Sequence, residues 1–315
     1  MARRVKISTL GTMPPTVPPQ LGNQALVDNM IAFWQSQLDQ VLPDKPDLIV
    51  LPEMGDRYRG FKPEQAAQYY EVRGEQVLEF YCKTARDHNC YISYSAAREA
   101  KDGTYRNSTL IIDRTGNVAG TYNKNHVVIE ETLDWGILCG AETPIIECDF
   151  GRVACAICFD LNFDELRQKY VAAKPDLILF PSMYHGGLMQ AYWAYSCRAH
   201  FVGACCNLPS AILSPLGQIL ATSTNYFNFA TATVNLDCCI AHFDHNWDRI
   251  KALKAAYGPL VTISDPGLLA SFLITSESED VTAAQMVQEF EIELLDDYMA
   301  RSLAHHHEPQ HRECL

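Results

Sequence analysis

The chain reads Lys45-Pro-Asp-Leu-Ile-Val-Leu-Pro-Glu53 and, further on, Lys174-Pro-Asp-Leu-Ile-Leu-Phe-Pro-Ser182. Each copy follows a helical pattern and ends an apolar strand with Pro, which cannot donate a hydrogen bond to a strand ladder. Chance similarity is one explanation, because such strands are common in α/β proteins. The other is a pair of similar half-units, with Glu53 and Ser182 at equivalent strand ends. Ligand sites of open α/β sheets lie beyond the carboxyl ends of strands, where Glu53 is expected.

Further apolar runs predict more strands, and several of these runs are apolar on both faces, as in covered sheets. They are Val5–Thr9, Tyr91–Ala96, Thr109–Asp113, Val153–Phe159, Phe201–Cys206 and Ala211–Ser214. After the first of them, apolar residues at helical spacing predict a helix from Asn23, its N-cap, to Val41. The strand–helix–strand order indicates an α/β fold.

The C-terminal segment differs in character from the rest of the chain. No linker rich in Gly or Ser divides the sequence, so residues 1–275 are predicted to form one catalytic domain and residues 276–315 a helix and polar tail. A capping box, Thr282-x-x-Gln285, begins this helix, which is expected to reach Arg301 with an apolar face against a second copy. The tail contains His305-His306-His307, which fits a metal site or, as predicted here, a solvated segment.

Charge and hydropathy exclude several classes of function. The 315 residues carry a net charge of −13, with 48% hydrophobic residues. An acidic surface repels phosphate backbones, so nucleic acid is not an expected partner. No apolar run approaches membrane-spanning length, and no apolar segment follows the basic start of the chain. Membrane association is therefore not expected, and a cytoplasmic location is.

The 12 cysteines lie mostly in strand-like runs typical of buried, reduced thiols. Cys155-x-x-Cys158 offers another interpretation, a dithiol redox pair or half of a metal site. No second pair with this spacing completes a metal site. In an extended strand the two thiols would point to opposite faces, which disfavours a disulfide between them.

Three residues in separate segments have side chains suited to acyl-transfer chemistry. Glu53 ends an apolar strand, where burial turns a carboxyl group into a usable base; a capping or ion-paired Glu is the alternative. Lys124 follows a predicted hairpin over 108–122 and can stabilise an oxyanion, unless it is a surface Lys paired with nearby glutamates. Cys158 ends a strand, and a neighbouring base can convert its thiol into a nucleophile.

The order and contexts of these residues resemble one family. The segments Leu51-Pro-Glu53-Met, Tyr122-Asn-Lys124-Asn-His and Ile157-Cys158-Phe-Asp160 are similar to the three motifs of the nitrilase, or carbon–nitrogen hydrolase, superfamily. The resemblance spans roughly Val5 to Asp237. It implies a four-layer αββα sandwich with two mixed β-sheets and an internal pseudo-two-fold repeat. It also implies that Glu53 is the base, Lys124 the oxyanion donor and Cys158 the nucleophile.

The resemblance implies two further site residues. Members of the superfamily place a second Glu near the nucleophile; Glu130 and Glu131 compete for this role, and the pattern Glu131-Thr-Leu-Asp-Trp135 favours Glu131. The backbone N–H of Phe159 would be the second oxyanion donor. Two departures from the family pattern, Phe163-Asp164-Glu165 and His200, leave the three catalytic residues intact.

The resemblance allows an amide, an N-carbamoyl amine or a nitrile as substrate. Phe159-Asp160 is similar to the amide-cleaving branches, whereas the segment from Glu131 to Trp135 looks nitrilase-like. A small amide or N-carbamoyl substrate is the prediction, and a nitrile is the alternative. Candidate pocket residues, with simple packing as their alternative role, are Ser182, Tyr184, His185 and Trp193. We expect no metal, no organic cofactor, and a homodimer or higher homo-oligomer.

Overall fold

The first half of the chain alternates strands and helices, as the sequence predicted. The structure is a computed structural model that describes residues 2–313. Its elements in this half are β1 (Arg4–Leu10), α1 (Asn23–Leu38), β2 (Leu48–Val50), α2 (Pro63–Arg73), α3 (Gln76–His88), β3 (Tyr91–Glu99), β4 (Tyr105–Ile112), β5 (Val118–Asn123) and α4 (Ile129–Leu133).

The second half repeats this alternation. Its elements are β6 (Ile146–Cys148), β7 (Gly151–Cys155), α5 (Asp164–Ala173), β8 (Leu177–Ser182), α6 (Leu188–Cys197), β9 (His200–Cys205), β10 (Ala211–Leu213), β11 (Ile219–Thr222) and β12 (Phe229–Asn235). A 3₁₀ turn over Cys158–Asn162 connects β7 to α5.

Two six-stranded mixed sheets share one internal order. The first runs β12-β1-β2-β3-β4-β5 and the second β11-β10-β9-β8-β7-β6. In the first sheet β1, β2 and β3 are parallel, and β4 and β5 follow antiparallel. In the second sheet β7, β8 and β9 are parallel, and β10 and β11 follow antiparallel. The internal repeat is therefore confirmed at the level of topology.

The sheets pack face to face, and helices cover their outer faces. Thr9 Oγ1 donates a hydrogen bond across the interface to Gly203 O at 2.8 Å. On the first sheet, α1 buries Met30 and Trp34 in a large apolar core. On the second sheet, α6 packs against β9 and α5. The predicted four-layer αββα sandwich is confirmed.

Residues 235–313 form a second compact unit together with residues 2–4. Its elements are β13 (Cys238–His242), α7 (Trp247–Tyr257), β14 (Val261–Ser264), β15 (Ser271–Ser276), α8 (Ala283–Glu289) and α9 (Leu295–His307). The three strands make an antiparallel sheet in the order β13-β15-β14. The compact sandwich unit, residues 5–234, thus ends earlier than residue 275. The assignment of catalysis to residues 1–275 stays a prediction.

The predicted helix from Thr282 to Arg301 is wrong in one respect, because it is two helices. Its capping box is confirmed, since Gln285 N donates to Thr282 Oγ1 at 3.1 Å. The helix ends at Glu289, and Glu291 adopts a left-handed backbone with φ 51°. Met286 is buried in the core of its own unit. The apolar face of α8 is therefore already covered and needs no second copy.

Other boundaries differ by a few residues. Helix α1 ends at Leu38 rather than at Val41, and β4 begins at Tyr105, before the predicted Thr109. The predicted strand Val153–Phe159 ends at Cys155. None of the helices in residues 2–313 is long and apolar enough to cross a bilayer.

Candidate active site

The three predicted catalytic residues come from the ends of strands in both sheets. Glu53 lies just beyond β2, and Lys124 directly follows β5, both in the first sheet. Cys158 lies beyond β7 in the second sheet. Because the sheets pack face to face, these strand ends bring the three residues to one place.

A buried cluster of charges forms around Lys124. Lys124 Nζ donates to Glu53 Oε1 at 2.9 Å and to Glu131 Oε2 at 2.6 Å. The exposed fractions are 2% for Lys124, 3% for Glu53 and 9% for Glu131. Glu130 is exposed. The structure therefore brings together Glu131, rather than Glu130, with the other two residues.

Asn107 on β4 donates hydrogen bonds to the carboxylates of both Glu53 and Glu131. Its Nδ2 donates to Glu53 Oε1 at 2.7 Å and to Glu131 Oε1 at 2.9 Å, and the residue is fully buried. Two backbone N–H groups complete the set: Met183 N donates to Glu53 Oε2 and Val128 N to Glu131 Oε2. Each carboxylate is thus fixed by several donors, as a preorganised site requires.

Cys158 lies on a strained turn rather than in a strand. It is the first residue of the 3₁₀ turn and has φ 48°, a left-handed conformation that non-glycine residues rarely adopt. The chain reverses there, so the thiol faces the Glu53 carboxylate and the Met183 N–H. Phe159 follows in the first turn, where backbone N–H groups lack an intrahelical acceptor.

Electrostatics keeps the thiol protonated and the amine charged. Burial and the charge of Glu53 raise the pKa of Cys158 to about 12, although Lys124 opposes the shift. Burial lowers the pKa of Lys124, but the carboxylates of Glu53 and Glu131 outweigh it and raise that pKa overall. The resting cluster therefore contains a neutral thiol beside an ammonium ion held by two carboxylates.

Asp160 links the nucleophile turn to the lysine segment. Its Oδ2 accepts from Ile157 N at 2.9 Å and from Tyr122 Oη at 2.7 Å, and its Oδ1 accepts from His126 N at 2.8 Å. Asp160 is fully buried. Because Tyr122 and His126 flank Lys124, this carboxylate fixes the distance between the lysine and the cysteine segments.

The candidate pocket residues lie in different surroundings. Ser182 is buried and accepts from Tyr184 N through its Oγ at 3.0 Å, so it shapes a turn. Tyr184 is near enough to Cys158 for the two groups to interact electrostatically. His185 Nδ1 accepts from the N–H of Gly187, a residue at the start of α6. Trp193 has no exposed surface, and its Nε1 donates to Leu161 O in the core. The structure therefore places Tyr184 near Cys158 and Trp193 in the core.

Cys155 does not join this site. Cys155 and Cys158 are both free thiols, and Cys155 is fully buried in β7. The expectation that they occupy opposite faces of one strand was wrong in its premise, because Cys158 lies outside β7. At the other end of the chain His305, Glu308 and His311 are exposed, with ligand atoms within 4.8 Å of one another.

Sequence reasoning missed Asn107, the Met183 N–H and the role of Asp160. Asn107 lies just before the strand run that was recognised, and a polar amide at the start of an apolar strand was the available signal. The Met183 contact is made by backbone, which no side-chain pattern reveals. Asp160 belongs to the Ile157–Asp160 motif, but the motif alone does not show which donors its carboxylate binds.

Comparisons with known proteins find a matching family model, similar sequences and similar folds. A model of the carbon–nitrogen hydrolase family matches residues 19–241. Deaminated glutathione amidase from Bos taurus is 25% identical over 177 residues, which cover 52% of this chain and 54% of that protein. The chain thus matches about half the length of this curated relative.

Solved structures show the same fold at low sequence identity. Nit3 of Saccharomyces cerevisiae, a member of the nitrilase superfamily, has a TM-score of 0.61 and 18% identity, covering 84% of this chain and 97% of that one. A variant amidase from Nesterenkonia sp. has a TM-score of 0.59 and 18% identity, covering 73% and 93%. In that amidase acrylamide has added to the active-site cysteine.

Proposed function

This chain belongs to the carbon–nitrogen hydrolase family, and from that premise we propose that it hydrolyses a non-peptide C–N bond through Cys158. The observation that carries the proposal is the buried contact of Lys124 with Glu53 and Glu131 beside the Cys158 thiol. This set provides a base, an oxyanion donor and a nucleophile in one place. Amidases among the relatives, one with an active-site cysteine, support it.

In the first step Glu53 takes the thiol proton as Cys158 attacks the carbon of the C–N group. A thiol whose pKa burial and Glu53 raise to about 12 is almost entirely protonated at neutral pH, so attack needs a base in contact with it. The developing oxyanion accepts hydrogen bonds from Lys124 and the Phe159 N–H. Glu53 then gives its proton to the leaving amine, and a thioester remains on Cys158.

In the second step water hydrolyses the thioester. Glu53 removes a proton from the water and returns it to the Cys158 sulfur as the acid product leaves. Glu131 accepts from Lys124 and from Asn107, so we assign it to positioning the lysine and the substrate. The nucleophile, base and donors all come from this chain, so the scheme requires no metal or organic cofactor.

The proposed substrate is a small amide or an N-carbamoyl compound. Phe159-Asp160 after the nucleophile and the amidases among the relatives support it. Nitrile hydrolysis with the same residues is the second candidate, favoured by the segment Glu131-Thr-Leu-Asp-Trp135. A dithiol redox role for Cys155 and Cys158 is disfavoured, because Cys155 is fully buried and its pKa is raised by that burial.

The test is ammonia release from a panel of amides, ureido acids and nitriles. We expect release from amides or ureido acids by the unmodified protein and none by Cys158→Ala. Release from nitriles alone would favour the second candidate, and no release from any compound would contradict the proposal. A homo-oligomer and a cytoplasmic location also stay predictions, which light scattering and cell fractionation can check.

A further inference from the structure

The chain folds back at the end of α9, and one proline explains why. A residue that precedes Pro is disfavoured in the helical region, and Glu308 has φ −68° and ψ 131°, an extended backbone that ends α9 at His307. Pro309 then begins a 3₁₀ turn, Pro309–His311. The fixed φ and missing N–H of a proline suit this first position. The change of direction therefore follows from the local sequence.

Two hydrogen bonds hold the returning segment against the end of the helix. His311 Nδ1 donates to His305 O at 2.9 Å, and Arg312 Nε donates to His306 O at 2.8 Å. The last four carbonyl groups of an α-helix have no donor within the helix, so these contacts satisfy two of them. We call residues 305–312 the C-terminal hook. The hook brings the imidazole rings of His305 and His311 together, with their centroids 3.9 Å apart.

Three side chains of metal-ligating types meet in the C-terminal hook. His305, Glu308 and His311 each offer one ligand atom, and these atoms lie within 4.8 Å of one another. In a tetrahedral site with bonds of about 2.1 Å, neighbouring ligand atoms are about 3.4 Å apart. The two rings are inclined by 26° and must rotate to point at one ion. Both are exposed, so no packing opposes this rotation, and the backbone of the hook already sets their spacing.

The carboxylate of Glu308 is not paired with a lysine or an arginine in the part of the chain that the structure describes. Its one ion-pair contact there is with His311 Nδ1, at 3.7 Å. Arg301, one helical turn before His305, pairs instead with Glu293 at 2.8 Å. The C-terminal hook therefore holds a negative charge beside two imidazoles. The net charge of −13 on the whole chain also attracts cations.

Hydrogen bonds orient two of these three side chains in the way that metal ligands are usually oriented. Because a carbonyl only accepts, the His311 ring that donates through Nδ1 keeps the lone pair of Nε2 for an ion. Metal-bound histidines usually donate their other nitrogen in this way, and ligating carboxylates accept further hydrogen bonds. Glu308 Oε2 accepts from Gln310 Nε2 at 2.6 Å, which leaves Oε1 for an ion.

An open hollow beside the C-terminal hook gives an ion and its water room. Its volume is about 460 Å³, and its walls are Arg301, Ser302, Ala304, His305, His306 and Glu308. Two of the three ligands thus line it. A set of two nitrogens and one oxygen suits Zn²⁺, which takes four ligands and would gain the fourth from water. Mg²⁺ and Ca²⁺ prefer oxygen ligands alone, so the donor set selects a borderline divalent ion.

We propose that His305, Glu308 and His311 bind a borderline divalent cation, Zn²⁺ or an ion of similar chemistry, with water as the fourth ligand. The sequence favoured a solvated segment, because a run of histidines does not show that the chain folds back after Pro309. A bound ion would fasten the C-terminal hook to the end of α9. This inference does not depend on the proposed function, whose chemistry requires no metal.

The experiment is isothermal titration of ZnCl₂, and separately of MgCl₂, into the full chain without an added histidine tag. The variants are Glu308→Gln, His311→Asn, Pro309→Ala and His307→Asn, with circular dichroism to verify folding. Pro309→Ala keeps all three ligands and removes the cause of the fold-back. His307→Asn is the matched control, an exposed histidine of the same run outside the cluster. Free thiols also bind Zn²⁺, so the site is measured as a difference between proteins with the same cysteines.

We expect Glu308→Gln and His311→Asn each to weaken the binding of one Zn²⁺ ion by at least about 10-fold, because loss of an outer-shell partner alone costs about 10–100-fold. Pro309→Ala should also weaken it, by about 10-fold, whereas His307→Asn should bind as the unmodified protein does and Mg²⁺ should not bind. Zn²⁺ binding that is the same in His311→Asn and in the unmodified protein would overturn the site. An equal loss in His307→Asn, or no loss in Pro309→Ala, would overturn it as well, because either result means unspecific chelation by a histidine run.

Discussion

At the scale of single residues, the two cysteines near the turn after β7 differ in surroundings. Cys158 faces Glu53, whereas Cys155 is enclosed in the strand. We expect Cys158→Ala to abolish ammonia release and Cys155→Ala to retain most of it. Steady-state rates, with circular dichroism to verify folding, measure this. An equal loss in two folded variants would point to a dithiol mechanism instead.

Glu53 and Glu131, which both accept hydrogen bonds from Lys124, have different proposed roles. Glu53 moves a proton in both half-reactions, and a positioned acid or base contributes about 10²–10⁴ in rate. We expect Glu53→Gln to leave very little turnover and to trap or prevent the acyl adduct on Cys158. Glu131→Gln should keep a reactive thiol but slow turnover. Intact-protein mass spectrometry after mixing with substrate separates attack from hydrolysis.

The outcome for Glu53→Gln has two informative forms. An adduct that accumulates means that attack survives and hydrolysis fails, whereas no adduct means that attack itself needs the base. Near-normal steady-state turnover in this variant would contradict the assignment of Glu53. The base would then have to be sought in the other acidic residues of the segment that contains Glu131.

The residues found from sequence alone were those with a recognisable context. Glu53, Lys124 and Cys158 each lie in a short motif, and the pattern after Glu131 separated it from Glu130. Asn107 could not be found in this way, because its role depends on two carboxylates from distant segments meeting at its amide.

At the scale of elements, the β4–β5 hairpin carries Lys124 and depends on its turn. Gly116 in that turn has φ 80°, and a Cβ there would lie 2.5 Å from Cys82 O on α3. Gly103 in the preceding turn has a similar φ, 77°, but a Cβ there would meet only a side-chain atom at 4.0 Å. The two glycines therefore share a backbone conformation and differ in available space.

This pair separates conformational strain from steric conflict. We expect Gly103→Ala to lower the free energy of unfolding by about 1–2 kcal/mol, the cost of a left-handed residue with a side chain. Gly116→Ala should lower it by more, and should reduce activity as well if β5 shifts Lys124. Urea denaturation measures both. Equal losses of unfolding free energy in the two variants would show that the contact between residue 116 and α3 relaxes at no cost in free energy.

The sequence predicted elements well where the signal is local. The β4–β5 hairpin and the capping box at Thr282 are confirmed, because turn residues and caps act within a few positions. The break between α8 and α9 was missed, since the apolar periodicity continues across Glu291 while the backbone turns left-handed. The turn at Cys158 was missed for the same reason, because a run of apolar residues does not show where the backbone becomes left-handed.

At the scale of the whole molecule, one buried histidine should make stability depend on pH. His200 on β9 is buried, and burial lowers its pKa from 6.5 to about 4. Between pH 4 and pH 6.5, His200 therefore binds a proton in the unfolded chain but not in the folded chain. The contribution of His200 to the free energy of unfolding is therefore fully present above about pH 6.5. It is lost progressively as the pH falls towards 4.

The expected loss between pH 7.5 and pH 5 is about 2 kcal/mol, from the difference between the two pKa values. Urea denaturation of the unmodified protein and of His200→Asn at both pH values measures it. The variant should lose less stability than the unmodified protein over this interval. The same pH dependence in both proteins would mean that His200 takes up its proton without unfolding.

The second half of the chain contributes one strand to the first sheet, because its last strand, β12, pairs with β1 at the edge of that sheet. The first half contains Glu53, Lys124 and Glu131, whereas the second contains Cys158. The two halves therefore resemble two different subunits joined in one chain, and β12 is the strand that connects the second half to the first sheet. Fragment complementation follows: chains of residues 1–143 and 144–315 should be inactive alone and release ammonia when co-expressed. Activity in a single fragment would show that the halves do not need each other's side chains.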